Sequence, residues 1–381
     1  MILRKALFVL GGVVLTYGAL EGIFWGLEIG RVDPYQRRYS FQKTGAPKTP
    51  EHVVAASLNP SVLIRPQAVW PPAPERIIDY SQRNPSGLWN PKGYYLNPNF
   101  KGTSMASTTN GEVLYKVEVQ TDAYGRREHP REKGKPKEKC VVVLGDSIVY
   151  GEGVEAEQAL PGQIESLLKD TQVYNYGIPA AGPMKLLARI QDIRGTGEIT
   201  QKSCTTIYVF LPDHVRKANL SLFLYETNKH SPFFVGVPGK ETFLRFNEGI
   251  LEAHPFLSQV FEILSHSRVL GSIRFNYPIQ LGSEAYQKTA ALISEIQKVS
   301  ANHWPNSQFV VVLFPDRELS GSFKSYLEDR RIPYLDYEET ELVKVTTGSP
   351  FIKEPHLLEY GSGTYAWLAK RIVNDLNLSK K

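Results

Sequence analysis

The residues Val141-Val142-Val143-Leu144-Gly145-Asp146-Ser147 place a serine directly after an apolar run, between Gly145 and Gly151. A serine there can present its hydroxyl at the carboxyl edge of a sheet. It can also start the next helix, where backbone N–H groups stabilise an oxyanion. The bland reading is an ordinary strand-to-helix turn with Asp146 or Ser147 as N-cap. Alone, the tripeptide does not decide between them. Other chemistries find less support. The eight histidines are scattered singly, without H-E-x-x-H or paired ligand spacing, so neither a metal nor another cofactor is expected. Hydrolysis of a phosphoester lacks the metal ligands it usually needs.

Three further stretches follow in order. The first is Val173-Tyr174-Asn175-Tyr176-Gly177, and the second is Phe210-Leu211-Pro212-Asp213-His214-Val215-Arg216. The third is Lys353-Glu354-Pro355-His356, ahead of a C-terminal helical pattern. With the serine block they make the chain, from Cys140 to Leu376, resemble the SGNH or GDSL-type hydrolase superfamily. The resemblance implies a flavodoxin-like α/β fold and a serine esterase or O-acyltransferase. Ser147 would be the nucleophile, His356 the general base, and the N–H groups of Ser147 and Gly177 the oxyanion donors. Asp146 and Asp213 are supporting candidates. Two departures stand out. The family's asparagine after the third strand is missing, so either His214 replaces it or two N–H groups serve alone; one lost donor costs about 10² to 10³ in rate. Asp213 and His214 also read as a helix cap beside a solvent-facing imidazole. Lys353 occupies the usual acid position, leaving Glu354 in a Glu-x-His spacing, either as the orienting carboxylate or as a solvated surface charge.

The elements that position these residues are legible from periodicity. Cys140–Leu144, Val173–Tyr176, Thr205–Leu211, Phe309–Phe314 and Tyr334–Asp336 are short, continuously apolar runs, the habit of parallel strands buried on both faces. Helical patterns alternate with them, Pro183 opening one as a first-turn proline and Tyr365, Leu368, Ala369, Ile372 and Leu376 tracing one face of the last. The expectation is a doubly wound, mostly parallel α/β sheet over 139–381. An interruption at about 215–307 is either a lid-like, substrate-shaping insertion or a surface excursion.

Before it, thirteen of the 26 prolines fall between Pro34 and Pro136, so 30–138 reads as an extended spacer, Pro34 to about Tyr80, and a small β preface with a strand in Gly111–Thr121. Residues 1–29 begin with Arg4 and Lys5 ahead of the uncharged Ala6–Leu20. An uncleaved signal anchor is favoured over a cleaved signal, since apolar residues continue through Ile23, Phe24, Trp25 and Leu27. Either reading puts the remainder outside the cytoplasm. Cys140 and Cys204 each begin a strand; they could pair in an oxidising compartment, but two buried thiols is the favoured reading.

The 381 residues carry a net charge of +5 with basic residues spread along the chain, which argues against a nucleic-acid partner. The expected partners are an acylated envelope glycan or lipid as substrate and a membrane through the N-terminal helix. A catalytically weakened binding or scaffolding protein is the alternative, supported by the missing asparagine and displaced acid.

Overall fold

The computed structural model describes residues 18–20, 96–107, 113–128, 137–193, 197–219, 221–222, 225–237, 242–267, 269–270, 281–304, 307–314, 322–337 and 362–379. In chain order, β1 (Lys101–Ser107) and β2 (Val113–Gln120) form an antiparallel hairpin. β2 lies inside the strand expected at 111–121. Its partner carries glycine, serine and threonine with no apolar alternation, so periodicity does not announce it.

The main unit follows with β3 (Lys139–Gly145), α1 (Ser147–Tyr150), α2 (Leu160–Ser166), β4 (Thr171–Gly177), α3 (Pro183–Asp192), β5 (Ser203–Phe210) and α4 (Asp213–Ala218). An excursion then holds α5 (Tyr225–Asn228), the antiparallel pair β6 (Phe233–Gly236) and β7 (Phe243–Phe246), α6 (Ile250–Ala253) and α7 (Pro255–Ser265). The alternating pattern resumes with α8 (Ser283–His303), β8 (Gln308–Leu313), α9 (Ser322–Asp329), β9 (Tyr334–Asp336) and α10 (Ser362–Asp375).

All pairings in the central sheet are parallel and its order is β4-β3-β5-β8-β9. Counted within the sheet this is 2-1-3-4-5, the flavodoxin-like doubly wound order, whose ligand crevice lies at the switch point between its first and third strands. Those strands are β3 and β5. Alternate residues explain why they read as unbroken apolar runs. Val142 and Leu144 face a layer with Leu186, Leu187, Ile293 and Ile296 of α3 and α8. Val141 and Val143 face the other, with Ile164, Leu368 and Ile372 of α2 and α10.

The hairpin docks through the residues that follow it. Arg126 donates to Asp122 Oδ2 (2.7 Å), Tyr176 Oη (3.3 Å) and the Glu198 carbonyl (3.2 Å), and stacks over the Tyr174 ring at 4.5 Å. Arg189 holds the Glu198 carboxylate with two bonds, 3.1 and 2.7 Å. This buried charge network ties the preface to β4, the edge of the sheet.

One expectation is corrected. Cys140 and Cys204 are register partners on β3 and β5, with Cα atoms 4.4 Å apart, and form a disulfide instead of two thiols. Sequence places each at a strand start but does not give the register that sets them face to face.

Among the described residues no helix is long and apolar enough to cross a membrane. Residues 18–20 are helical; the rest of the expected anchor over 1–29, and the spacer Pro34–Tyr80, lie outside the described residues.

Candidate active site

Ser147 is the first residue of α1, directly beyond β3, and is 2% exposed. The turn is set by its neighbour: Asp146 is the N-cap and its Oδ1 accepts from Ile148 N–H at 3.1 Å. Its other oxygen faces β5's side of the crevice. Asp146 Oδ2 lies 3.0 Å from Lys217 Nζ and 3.5 Å from His214 Nε2, both on α4. Lys217 also reaches Asp213 Oδ2 at 2.9 Å, so one ammonium bridges two carboxylates.

His214 is fully buried, and its Nδ1 is 3.0 Å from the Tyr208 hydroxyl. Tyr208 donating to Nδ1 leaves the remaining proton on Nε2, facing Asp146. Burial pushes the imidazole below its ordinary pKa, and Asp146 offsets this only in part, so His214 is neutral at pH 7. Burial raises the Asp146 carboxyl, but Lys217 and His214 outweigh it and hold it well below the usual carboxylate range. The Tyr208 hydroxyl is pushed far up, by burial first and the Asp146 charge second.

Gly177 ends β4 directly opposite Gly145. A Cβ on it would lie 2.0 Å from Tyr150 N, so the close approach of α1 demands glycine. Its N–H donates to Asn175 Oδ1 at 2.8 Å.

The structure therefore gathers Ser147, Asp146, Gly177, Asp213 and His214 around the β3/β5 switch point. His214's N–H is directed at Asp146 instead of toward an oxyanion. Its surroundings are aromatic, Tyr208 and Phe210 each lying edge-on at 5.6 Å, and differ from the solvent-facing alternative. His356 and Glu354 lie outside the described residues. Sequence reasoning missed Lys217, Tyr208 and Asn175. Asn175 left a signal, an amide within the buried run Val173 to Tyr176, whereas Tyr208 reads as one more aromatic strand residue and Lys217 left only its spacing of four from Asp213.

Lys217 also lines a small cleft, whose walls come from the loop and helix after β4 and from the excursion. Its polar lining includes Lys185, Asn219, Asn228 and Ser231, and its apolar lining Met184 and Phe233. Among the described residues, no group of His, Cys, Asp and Glu could hold a metal ion.

No protein-family model and no curated protein matches the chain. Among solved structures it is similar to a lipolytic protein of the G-D-S-L family from Veillonella parvula, at 11% identity and a TM-score of 0.36 over 62% of this chain and 98% of that one. It is also similar to an acetyl xylan esterase from the rumen bacterium Butyrivibrio proteoclasticus, at 11% identity and a TM-score of 0.35 over 68% of each chain. A carbohydrate esterase family 2 enzyme from Corynascus thermopiles (Myceliophthora fergusii) gives 11% and 0.31 over 71% of each. The first of these is named for the G-D-S-L block. At such values the likeness carries no argument about activity, and the site is read from its own residues.

Proposed function

We propose that the chain is an SGNH-type serine esterase. One observation carries the reading: Ser147 stands on a capped turn at the switch point of a 2-1-3-4-5 sheet, with Gly177 ending the neighbouring strand opposite Gly145. In the mechanism His356 takes the Ser147 proton, with Glu354 orienting its imidazole. The serine oxygen attacks the ester carbonyl, the alcohol leaves with the proton that His356 returns, and water, deprotonated by His356, releases the acyl group as an acid and gives the proton back to Ser147. The oxyanion is met by the N–H groups of Ser147 and Gly177, the latter exchanging Asn175 Oδ1 for the oxyanion. His214, turned toward Asp146, supports the two-donor version of the hole.

The substrate class is an acyl ester of an envelope glycan or lipid, outside the cytoplasm, with residues 1–29 as the anchor. The disulfide favours an oxidising compartment.

The binding-module alternative is favoured by one observation, the occupied Gly177 N–H. Turnover of nitrophenyl acetate by the full-length chain separates the two. The esterase reading expects turnover that falls about 10⁴-fold or more in Ser147→Ala. Turnover unchanged by that substitution, or absent from folded wild type, favours the binding module.

A further inference from the structure

We infer that Arg127, contributed by the preface, is a positioning residue for the Ser147 turn; the inference rests on the nucleophile reading above. The four residues of α1 are too few to hold a helix by their own hydrogen bonds, so its ends must be fixed from outside. Asp146 fixes the N-terminal end from within the α/β unit. The C-terminal end leaves carbonyls that need donors.

Arg127 meets that need. It is 1% exposed, and it donates from Nη1 to the Tyr150 carbonyl at 3.0 Å and to the Gly151 carbonyl. From Nη2 it donates to the Val154 carbonyl at 2.7 Å. The guanidinium sits 4.9 Å from the Tyr150 ring centroid. Gly151 is left-handed, with φ +82°, and a Cβ there would lie 3.1 Å from Arg127 Nη1. Among the described residues no carboxylate pairs with Arg127, so its charge is spent on backbone carbonyls at the negative end of α1. Arg126, its neighbour, is anchored in the Tyr176–Glu198 network. The preface thereby closes the far end of the nucleophile turn, and a lysine, with one point charge and no planar fork, cannot reproduce the three contacts.

The test uses the full-length chain and two readouts. In Arg127→Ala, amide exchange across residues 147–154 is expected to rise at least tenfold, with β5 and β8 keeping wild-type protection. The fluorophosphonate labelling rate per active site, counted from the labelling end point, is expected to fall about 10- to 100-fold at an unchanged end point. Arg127→Lys should fall between, and methylguanidinium should restore part of the alanine variant's rate. Wild-type exchange across 147–154, or a lower end point with an unchanged rate per site, would overturn the inference. Should Arg127→Ala lose protection throughout the sheet, Arg127→Lys carries the same two readouts. A wild type that never labels sinks the nucleophile reading, and exchange alone then decides whether Arg127 holds the turn.

Discussion

β3 and β5 are joined at both ends, and the two joints differ in kind. At the amino ends Cys140 and Cys204 link them covalently. At the carboxyl ends Asp146, just past β3, meets Lys217 and His214 on the helix just past β5. Between the joints Val141, Val142, Val143 and Leu144 of β3 pair in register with Thr205, Thr206, Ile207 and Tyr208 of β5. The covalent joint lies at the opposite end of the strands from the candidate site and is indifferent to pH. The ionic joint is titratable and lies at the Ser147 turn, with Lys217 also in the wall of the cleft. Anchoring and chemistry are thus separated along one strand pair, and each joint can be broken without the other.

The largest stability effect is expected at the ionic joint. Lys217→Met leaves Asp146 buried without its ammonium, and breaking such a pair costs about 3–5 kcal/mol. Urea unfolding should show this, together with a large loss of ester turnover, since the cap on the Ser147 turn loosens. Reducing the covalent joint, as Cys140→Ser with Cys204→Ser, opens a link spanning 64 residues and should cost about 2–4 kcal/mol. Turnover per folded molecule should stay at the wild-type value, the mirror image of Lys217→Met. Equal losses of turnover in both variants would dissolve the contrast.

Acid gives the smallest effect and the finest distinction. The folded His214 pKa lies below its ordinary value of about 6.5. The unfolded chain therefore binds that proton first, and stability present at neutral pH is lost as pH falls below about 6.5. Asp146, also held below its ordinary value, adds a second loss as pH falls below about 3.9. Urea midpoints between pH 7.5 and 3 should show both declines. His214→Asn should flatten the first, and breaking the disulfide should alter neither.

The sequence made the frame legible because buried parallel strands announce themselves by continuous apolar runs. Cys140–Leu144 and Tyr334–Asp336 fall on β3 and β9, and Pro183 opens α3 as read. It also placed Ser147 and Gly177, which depend on local backbone. The excursion's β6–β7 pair, two strands of four residues each, is too short for a period to mark it. What stayed hidden was pairwise and long-range. The register aligning Cys140 with Cys204, the reach of Lys217 across to Asp146, and Arg127 under the Tyr150 carbonyl follow from tertiary placement, and no period in the chain records them.

The central claim is that Ser147 is a nucleophile at the switch point. Intact mass and peptide mapping of the full-length chain after fluorophosphonate treatment test it most directly. One adduct per chain is expected, on Ser147, absent from Ser147→Ala. A folded chain with no adduct, or one whose adduct maps to another residue, would contradict it.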